Sequence, residues 1–596
     1  MQHVLSPMIA ALLVVHLPDI AGGVDNSVPL IERPVLRHPV AMVSGTQGLV
    51  LVANRNTGTV SVLTADGDGT ASRSSVHEFR LSERLDDLVR VSSTVFAGVD
   101  STRHELLTFE FDGRRARQVM RQAVAQYPVS VIASSDGAVL CVASLWSRRL
   151  SLFQVEGLEP LAVIDLPFAP LRQCFLNETH LLVADAFAGR LAVIDVRQRR
   201  MQSYLAINGH NIRGLSLNSP VTGQSNDVLI THQILNAASS TTRSMISWGG
   251  VISNTLHTIA IPDLLESTSV DLEKPDRIHG RLYPLGEQGR AAGDPGAIVT
   301  EAGDTWIALT GVGEVALRRG SEHSAKRQSV CRRPTCLLID GQELLVLSTS
   351  DESVTVVDRE SLIPQHVIQL GPPVVRTLAQ QGEELFFDAR LSLDGWFSCH
   401  SCHSDGHTMG RLNDNLGDET FNTPKRVLTL RGTGPTEPWG WNGSQNDLHD
   451  QVSKSIELTM AGPGKSGPRI TDREIKSIVS YISSLSPVPG ILTARQEAGQ
   501  PGVERGRQVF LKFGCSDCHQ PPFYTSPLSH DVGVKDEWGL HYFNPPSLLG
   551  VSQRESYFHD NRATRLIDVF LDHDHDNASS LSEKQIDDLV LFLQSL

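Results

Sequence analysis

From about residue 36 to 370 the chain alternates apolar runs with short polar turns, each turn followed by a second apolar run. Clear examples are Leu49–Leu63, Val95–Phe109, Val139–Phe153, Leu181–Ile194, Trp306–Leu317 and Leu344–Val357. A seventh pair begins at Val228 and returns at Thr255–Ile261 after an insertion. Most pairs recur about every 40 residues, the period of a four-stranded propeller blade. The runs are rich in Val, Ile and Leu, as strands buried on both faces should be. The pattern predicts a seven-bladed β-propeller over 36–370. The Asn/Ser/Thr-rich insertion reads as a long functional loop.

The pattern changes at Gly371-Pro372-Pro373. Helical periodicity takes over, and one module is written twice. Cys399-His400-Ser401-Cys402-His403 is matched by Cys515-Ser516-Asp517-Cys518-His519, and Phe421-Asn422-Thr423-Pro424 by Phe543-Asn544-Pro545-Pro546. Two capping boxes, Thr471–Glu474 and Ser582–Gln585, each open a helix with one apolar stripe. The stripes are Ile475, Ile478, Val479, Ile482 and Ile586, Leu589, Val590, Leu593. Pro- and Gly-bearing Ser486–Gly502 joins the copies. The expected fold is multidomain: the all-β propeller, then two mainly α-helical cytochrome c-type domains at 377–486 and 500–596.

Composition narrows the reading. The chain has 596 residues, 40% hydrophobic and 20% charged, which excludes a disordered chain and leaves material for several cores. Its net charge of -15 argues against nucleic acid as a partner. The apolar run Val4–Leu17 is too short to span a bilayer and, with Ala21-Gly22-Gly23 behind it, reads as a signal peptide over 1–23. The mature chain is then not membrane-spanning.

The Cys-x-x-Cys-His pair carries the chemistry. This spacing lets two thiols reach the two vinyl groups of a haem while the next His faces the iron. Cys399, Cys402, Cys515 and Cys518 are the expected thioether anchors, and His403 and His519 the axial ligands, of two covalently bound c-type haems. A four-Cys zinc site would not need a His after each pair. Covalent haem attachment implies an exported, periplasmic location in bacteria. Cys141, Cys174, Cys331 and Cys336 read as small buried hydrophobes, with a Cys331–Cys336 disulfide the alternative after export. His210, Asn211 and Arg213 with Thr231-His232-Gln233 could line a central funnel or be satisfied internal polar groups.

Residues 377–596 resemble the bacterial di-haem cytochrome c peroxidase family, including the methylamine-utilisation di-haem enzyme. The resemblance rests on both haem motifs, Gly382–Asp388, Trp441-Asn442-Gly443 and Tyr557-Phe558-His559-Asp560. The first half looks like a YVTN-type propeller. The family implies one peroxidatic and one electron-transfer haem, fed by a small redox protein (a cytochrome or cupredoxin), with hydrogen peroxide or a protein or small molecule as substrate. By position, Trp441 matches its inter-haem tryptophan and Asn422 its interdomain calcium ligand. His573 falls near the family's distal Met, with His575 second, while His559 reads as a packing residue. In the first module His407 is too close to His403 to cross the haem, whereas His449 and Met460 are far enough away. The family's acidic residue before the Met is Thr459 here, and Glu457, two residues off, is the expected substitute.

Overall fold

The computed structural model describes residues 35–596 except 47, 66–72, 219–225, 321, 323 and 463–468. The expected signal peptide lies outside the described residues.

The first half is a series of antiparallel sheets in chain order. Four-stranded sheets cover Pro39–Arg80, Asp87–Ala123, Pro128–Asp165, Pro295–Ser329 and Pro334–Gln369. Between the third and fourth of these lies a larger sheet built on one long strand, Arg200–Leu217. Its front half pairs with Ala188–Asp195 and its back half with Asp227–Leu235, so one strand belongs to two hairpin sets. The middle strands are buried, Val50–Asn54 along its whole length, which explains their unbroken apolar runs.

The first strands of consecutive sheets lie side by side: Pro39–Ser44 next to Asp87–Arg90, then Pro128–Ala133, then Pro170–Phe175. The long strand follows, then Pro295–Glu301 and Pro334–Asp340, and the last of these returns to Pro39–Ser44. Met42, Val50, Val52 and Leu63 accordingly share one core with Leu345, Leu347, Val354 and Val356. The half is β-rich and propeller-like.

The insertion is not a free loop. It carries a short helix, α1 (Arg243–Ser247), and Leu235, Ile246, Val251 and Ile252 enter a core with Trp396, Phe397, Met409 and Leu448. Apolar residues spaced through a polar stretch do this, and the polar majority hid it from the sequence.

The second half is helical, and its duplication is visible as repeated geometry. In the first copy α2 (Leu378–Phe386) crosses α5 (Asp472–Ser484), with α3 (Cys399–Cys402) and α4 (Leu448–Lys454) between them. In the second, α6 (Pro501–Phe513) crosses α7 (Glu583–Ser595). Both predicted capping boxes form. Each crossing turns on a glycine. A Cβ on Gly382 would sit 1.9 Å from the Ser477 carbonyl oxygen, and one on Gly506 1.8 Å from that of Asp588. Four residues on, Phe386 and Phe510 are both buried. Gly506→Ala is expected to lower the stability of the second module by about 1–3 kcal/mol through overpacking, read as a lower Tm in thermal unfolding. Among the described residues no helix is long and apolar enough to cross a membrane.

Candidate functional site

Each Cys-x-x-Cys-His turn opens on its own cavity. Cys399, Cys402 and His403 line one of about 270 Å³, with Phe386, Phe397, Val452, Ile456 and Met460. Cys515, Cys518 and His519 line one of about 460 Å³, with Phe510, Leu548, Val569 and Leu589. The thiols are unpaired, and so are Cys141, Cys174, Cys331 and Cys336: no Cys331–Cys336 disulfide forms.

Both histidines are oriented the same way. The Nδ1–H of His403 donates to the Leu428 carbonyl at 2.8 Å, and that of His519 to the Tyr524 carbonyl at 3.1 Å. A carbonyl only accepts, so Nδ1 carries the proton and Nε2 keeps a free lone pair. Burial holds both imidazoles neutral by lowering their pKa to about 4.

The cavities share a wall. Trp441 and Arg426 line both. The Trp441 Nε1–H donates to the Arg426 carbonyl at 2.8 Å, which fixes the indole. Arg426 and Arg554, at the rim of the larger cavity, have backbone carbonyls as their hydrogen-bond partners, from Phe558 and Ser547. Burial lowers their pKa to about 9 and about 10. Two apolar cavities, each with two thiols and an imidazole lone pair, and buried guanidiniums without acid partners, fit two haems with their propionates.

The remaining predicted residues divide between these walls and the surface. His575 lines the larger cavity and lies near enough to His519 to disfavour its protonation. His573 does not line it; its ring bonds the Arg562 carbonyl at 3.2 Å instead. His559 stacks on Phe543, 4.4 Å between centroids, beside Trp441. Met460 is buried in the wall of the smaller cavity, whereas Glu457 is exposed and outside it. His449 also stays outside and bonds Asp472 at 2.8 Å. His407 packs edge-on against the stacked Trp146 and Phe187 of the β-rich half.

Gln451 was missed by the sequence reading. It lines the smaller cavity, and its Oε1 is buried without a hydrogen bond. Its amide donates to the Ser455 hydroxyl at 3.2 Å, and nothing in the sequence pattern singled it out. Asn422 lies outside both cavities, its N–H donating to Asp414 at 3.1 Å. Close by in the chain, the Lys425 ammonium bridges the modules, 2.5 Å from Asp418 and 3.1 Å from Asp536. Among the described residues no group of three or more His, Cys, Asp or Glu is placed to hold a metal ion.

The funnel residues grip the first haem turn. The His210 Nε2–H and the Asn211 amide both donate to the Ser401 carbonyl, at 3.0 and 3.1 Å. Gln233 reaches the Ser401 hydroxyl at 3.2 Å. Asp294, buried in the β-rich half, accepts from the hydroxyls of Ser398 and Ser401 at 2.5 and 2.6 Å.

Residues 376–484 match the family model for di-haem cytochrome c peroxidase. The C-terminal part of this chain thus carries, over 376–484, a domain of the di-haem cytochrome c peroxidase type. Its relatives include the hydrazine synthase γ subunit of Kuenenia stuttgartiensis, 26% identical over 38% of this chain and 79% of that one. Cytochrome c551 peroxidase of Pseudomonas aeruginosa is 23% identical over 39% and 83%. MauG, the methylamine utilization protein of Methylophilus methylotrophus, is 24% identical over 38% and 84%. Among solved structures, Kuenenia stuttgartiensis hydrazine synthase aligns over 56% of this chain and 99% of that one, at 14% identity and a TM-score of 0.45. Staphylococcus aureus virginiamycin B lyase aligns over 52% and 91%, at 10% identity and a TM-score of 0.37. The di-haem peroxidase family implies two c-type haems and an oxidoreductase.

Proposed function

We propose that this chain is an exported di-haem oxidoreductase that passes electrons between two haems and reacts with hydrogen peroxide, or with a substrate to be oxidised, at the first. Its parts are a signal peptide over 1–23, a seven-bladed propeller over 36–370, and haem domains over 377–486 and 500–596. The carrying observation is the wall of Trp441 and Arg426 common to both Cys-x-x-Cys-His cavities.

Cys399, Cys402, Cys515 and Cys518 would anchor the haems, and His403 and His519 would supply Nε2 to the irons. When bound, a haem supplies a redox-active iron whose reactivity depends on its sixth position. In the second cavity, which His530 and His559 also line, His575 would be the residue to hold that position, ahead of His573. In the first, Met460 would be a displaceable ligand, and Gln451 would present a carbonyl oxygen able to accept a hydrogen bond from hydrogen peroxide entering in its place. Glu457, exposed, takes no part, so no proton shuttle operates from it. Trp441 lies where an electron relay is needed, its indole clamped by the Arg426 carbonyl. A small cytochrome or cupredoxin is the electron donor.

Two measurements test this. Gln451→Leu is expected to slow oxidation of a reduced cytochrome by peroxide at least tenfold while both haems stay attached, and unchanged turnover would refute the role. Lys425, not calcium, is the interdomain cation in this reading. A calcium chelator should leave Tm and haem spectra unchanged, and Lys425→Met should lower Tm. A chelator-dependent loss would instead assign calcium to the Asn422 region.

A further inference from the structure

The insertion of the β-rich half reaches the segment that carries Met460. That segment is irregular on both sides of the methionine. Ser455–Thr459 winds as a π-helical turn, and the Met460 N–H donates to the Ser455 carbonyl, five residues back, at 2.9 Å. Ala461 then takes a left-handed φ of 56°, which costs energy in any residue with a side chain. Such π turns are rare and frequently mark functional sites. A strained segment keeps its shape only where its surroundings impose it.

Two hydrogen bonds hold the backbone carbonyls at this point. The Leu393 N–H, within the haem module, donates to the Met460 carbonyl at 3.0 Å. The Arg243 guanidinium, from the β-rich half, donates to the Ala461 carbonyl at 3.0 Å. Among the described residues no acid pairs with Arg243, so this bond is the use its charge is put to. The arginine stands on a fixed base. It opens α1, whose Thr242 hydroxyl accepts the Met245 N–H at 3.3 Å. Before it, the Thr241 N–H donates to the Asp414 carbonyl at 2.9 Å and the Ser240 hydroxyl to the Asp414 carboxylate. After it, the Trp396 Nε1–H donates to the Ser247 carbonyl at 3.3 Å, and the Trp396 ring lies so close that a Cβ on Gly249 would sit 2.5 Å from Cη2. Between these ends Ile246 enters the core that also holds Ile456 and Met460.

We infer that Arg243 is a positioning residue for the first haem: through the Ala461 carbonyl, the docked insertion keeps Met460 in the cavity wall, and loss of that bond opens the sixth position to an incoming ligand. The inference rests on the reading of Met460 as a displaceable ligand. It gives the β-rich half a hand on the reactive side of the first cavity, apart from its grip on the Cys-x-x-Cys-His turn.

The test uses the full haem-loaded chain in its ferric state, with cyanide as the probe and electron paramagnetic resonance to read spin state. Arg243 is exposed, so its variants are expected to fold. In Arg243→Gln the first haem should bind cyanide about fivefold faster, the factor that one lost hydrogen bond allows, and its high-spin fraction should rise. The second haem's signal should stay as in the parent. Met460→Ala should be faster still, and the double variant should bind cyanide no faster than Met460→Ala alone, because Arg243 acts through Met460. Parent-like cyanide binding and spin state in Arg243→Gln, even with a lower Tm, beside a converted Met460→Ala would overturn the inference and leave the ligand reading standing. Equal acceleration by Arg243→Gln with and without Met460 would do the same. No change in Met460→Ala would overturn both.

Discussion

Cys515→Ser together with Cys518→Ser leaves the chain with one covalent haem instead of two, and the second module does not stay folded without it. The cavity those thiols line measures about 460 Å³. Cavity cost scales as roughly 24 cal/mol per Å³, so an unfilled void of that size costs on the order of 10 kcal/mol, comparable to the whole stability of a domain. Intact mass of the denatured chain gives the haem count. Thermal unfolding gives the second effect as a low-temperature transition absent from the parent. The first module should keep its own haem and spectrum, since its thiols lie in a separate cavity. Retention of two haems in this variant would remove Cys515 and Cys518 from the attachment chemistry.

Asp294→Ala should loosen the first haem turn from the β-rich half. Asp294 accepts from Ser398 and Ser401 at the start of the Cys-x-x-Cys helix. Its loss strands two buried hydroxyls, at about 1–3 kcal/mol each. The expected result is about 2–6 kcal/mol of destabilisation, together with a shifted spectrum of the first haem and an unperturbed second. The readout separates local from general damage, because the Asp294 carboxylate holds the first haem turn and makes no contact with the second module. Parent-like stability with both haem spectra unchanged would show that the β-rich half is a passive support.

The same contact shows where sequence reading reaches its limit. The haem motifs, both capping boxes and the apolar stripes were legible because they are local: each is set by spacing within a few turns of chain. The hairpins were legible for the same reason, through turn chemistry and burial on both faces. What escaped depended on long-range placement. His210, Asn211 and Gln233 could be read as funnel or interior polar residues, but not as partners of Ser401, against which only the fold brings them. His407 could be separated from the haem by its spacing, but not assigned to the interface with Trp146 and Phe187. His573 and His575 are two residues apart, and only the backbone path decides which ring enters the cavity. Gly506 carried a weak signal: it precedes Phe510 by four residues, as Gly382 precedes Phe386, a fourth landmark of the duplication. The insertion misled because a polar average concealed the few apolar residues that dock it.

The two cavities are unequal, and that inequality is the core of the functional account. One is lined by three imidazoles besides its own histidine, those of His530, His559 and His575; the other offers a thioether and an amide. Electron paramagnetic resonance of the oxidised chain reads this directly. The account predicts two distinct ferric signals: one low-spin with bis-imidazole character that disappears in His575→Ala, and one that converts to high spin when Met460 is replaced by Ala. Two identical low-spin signals, insensitive to both substitutions, would contradict it.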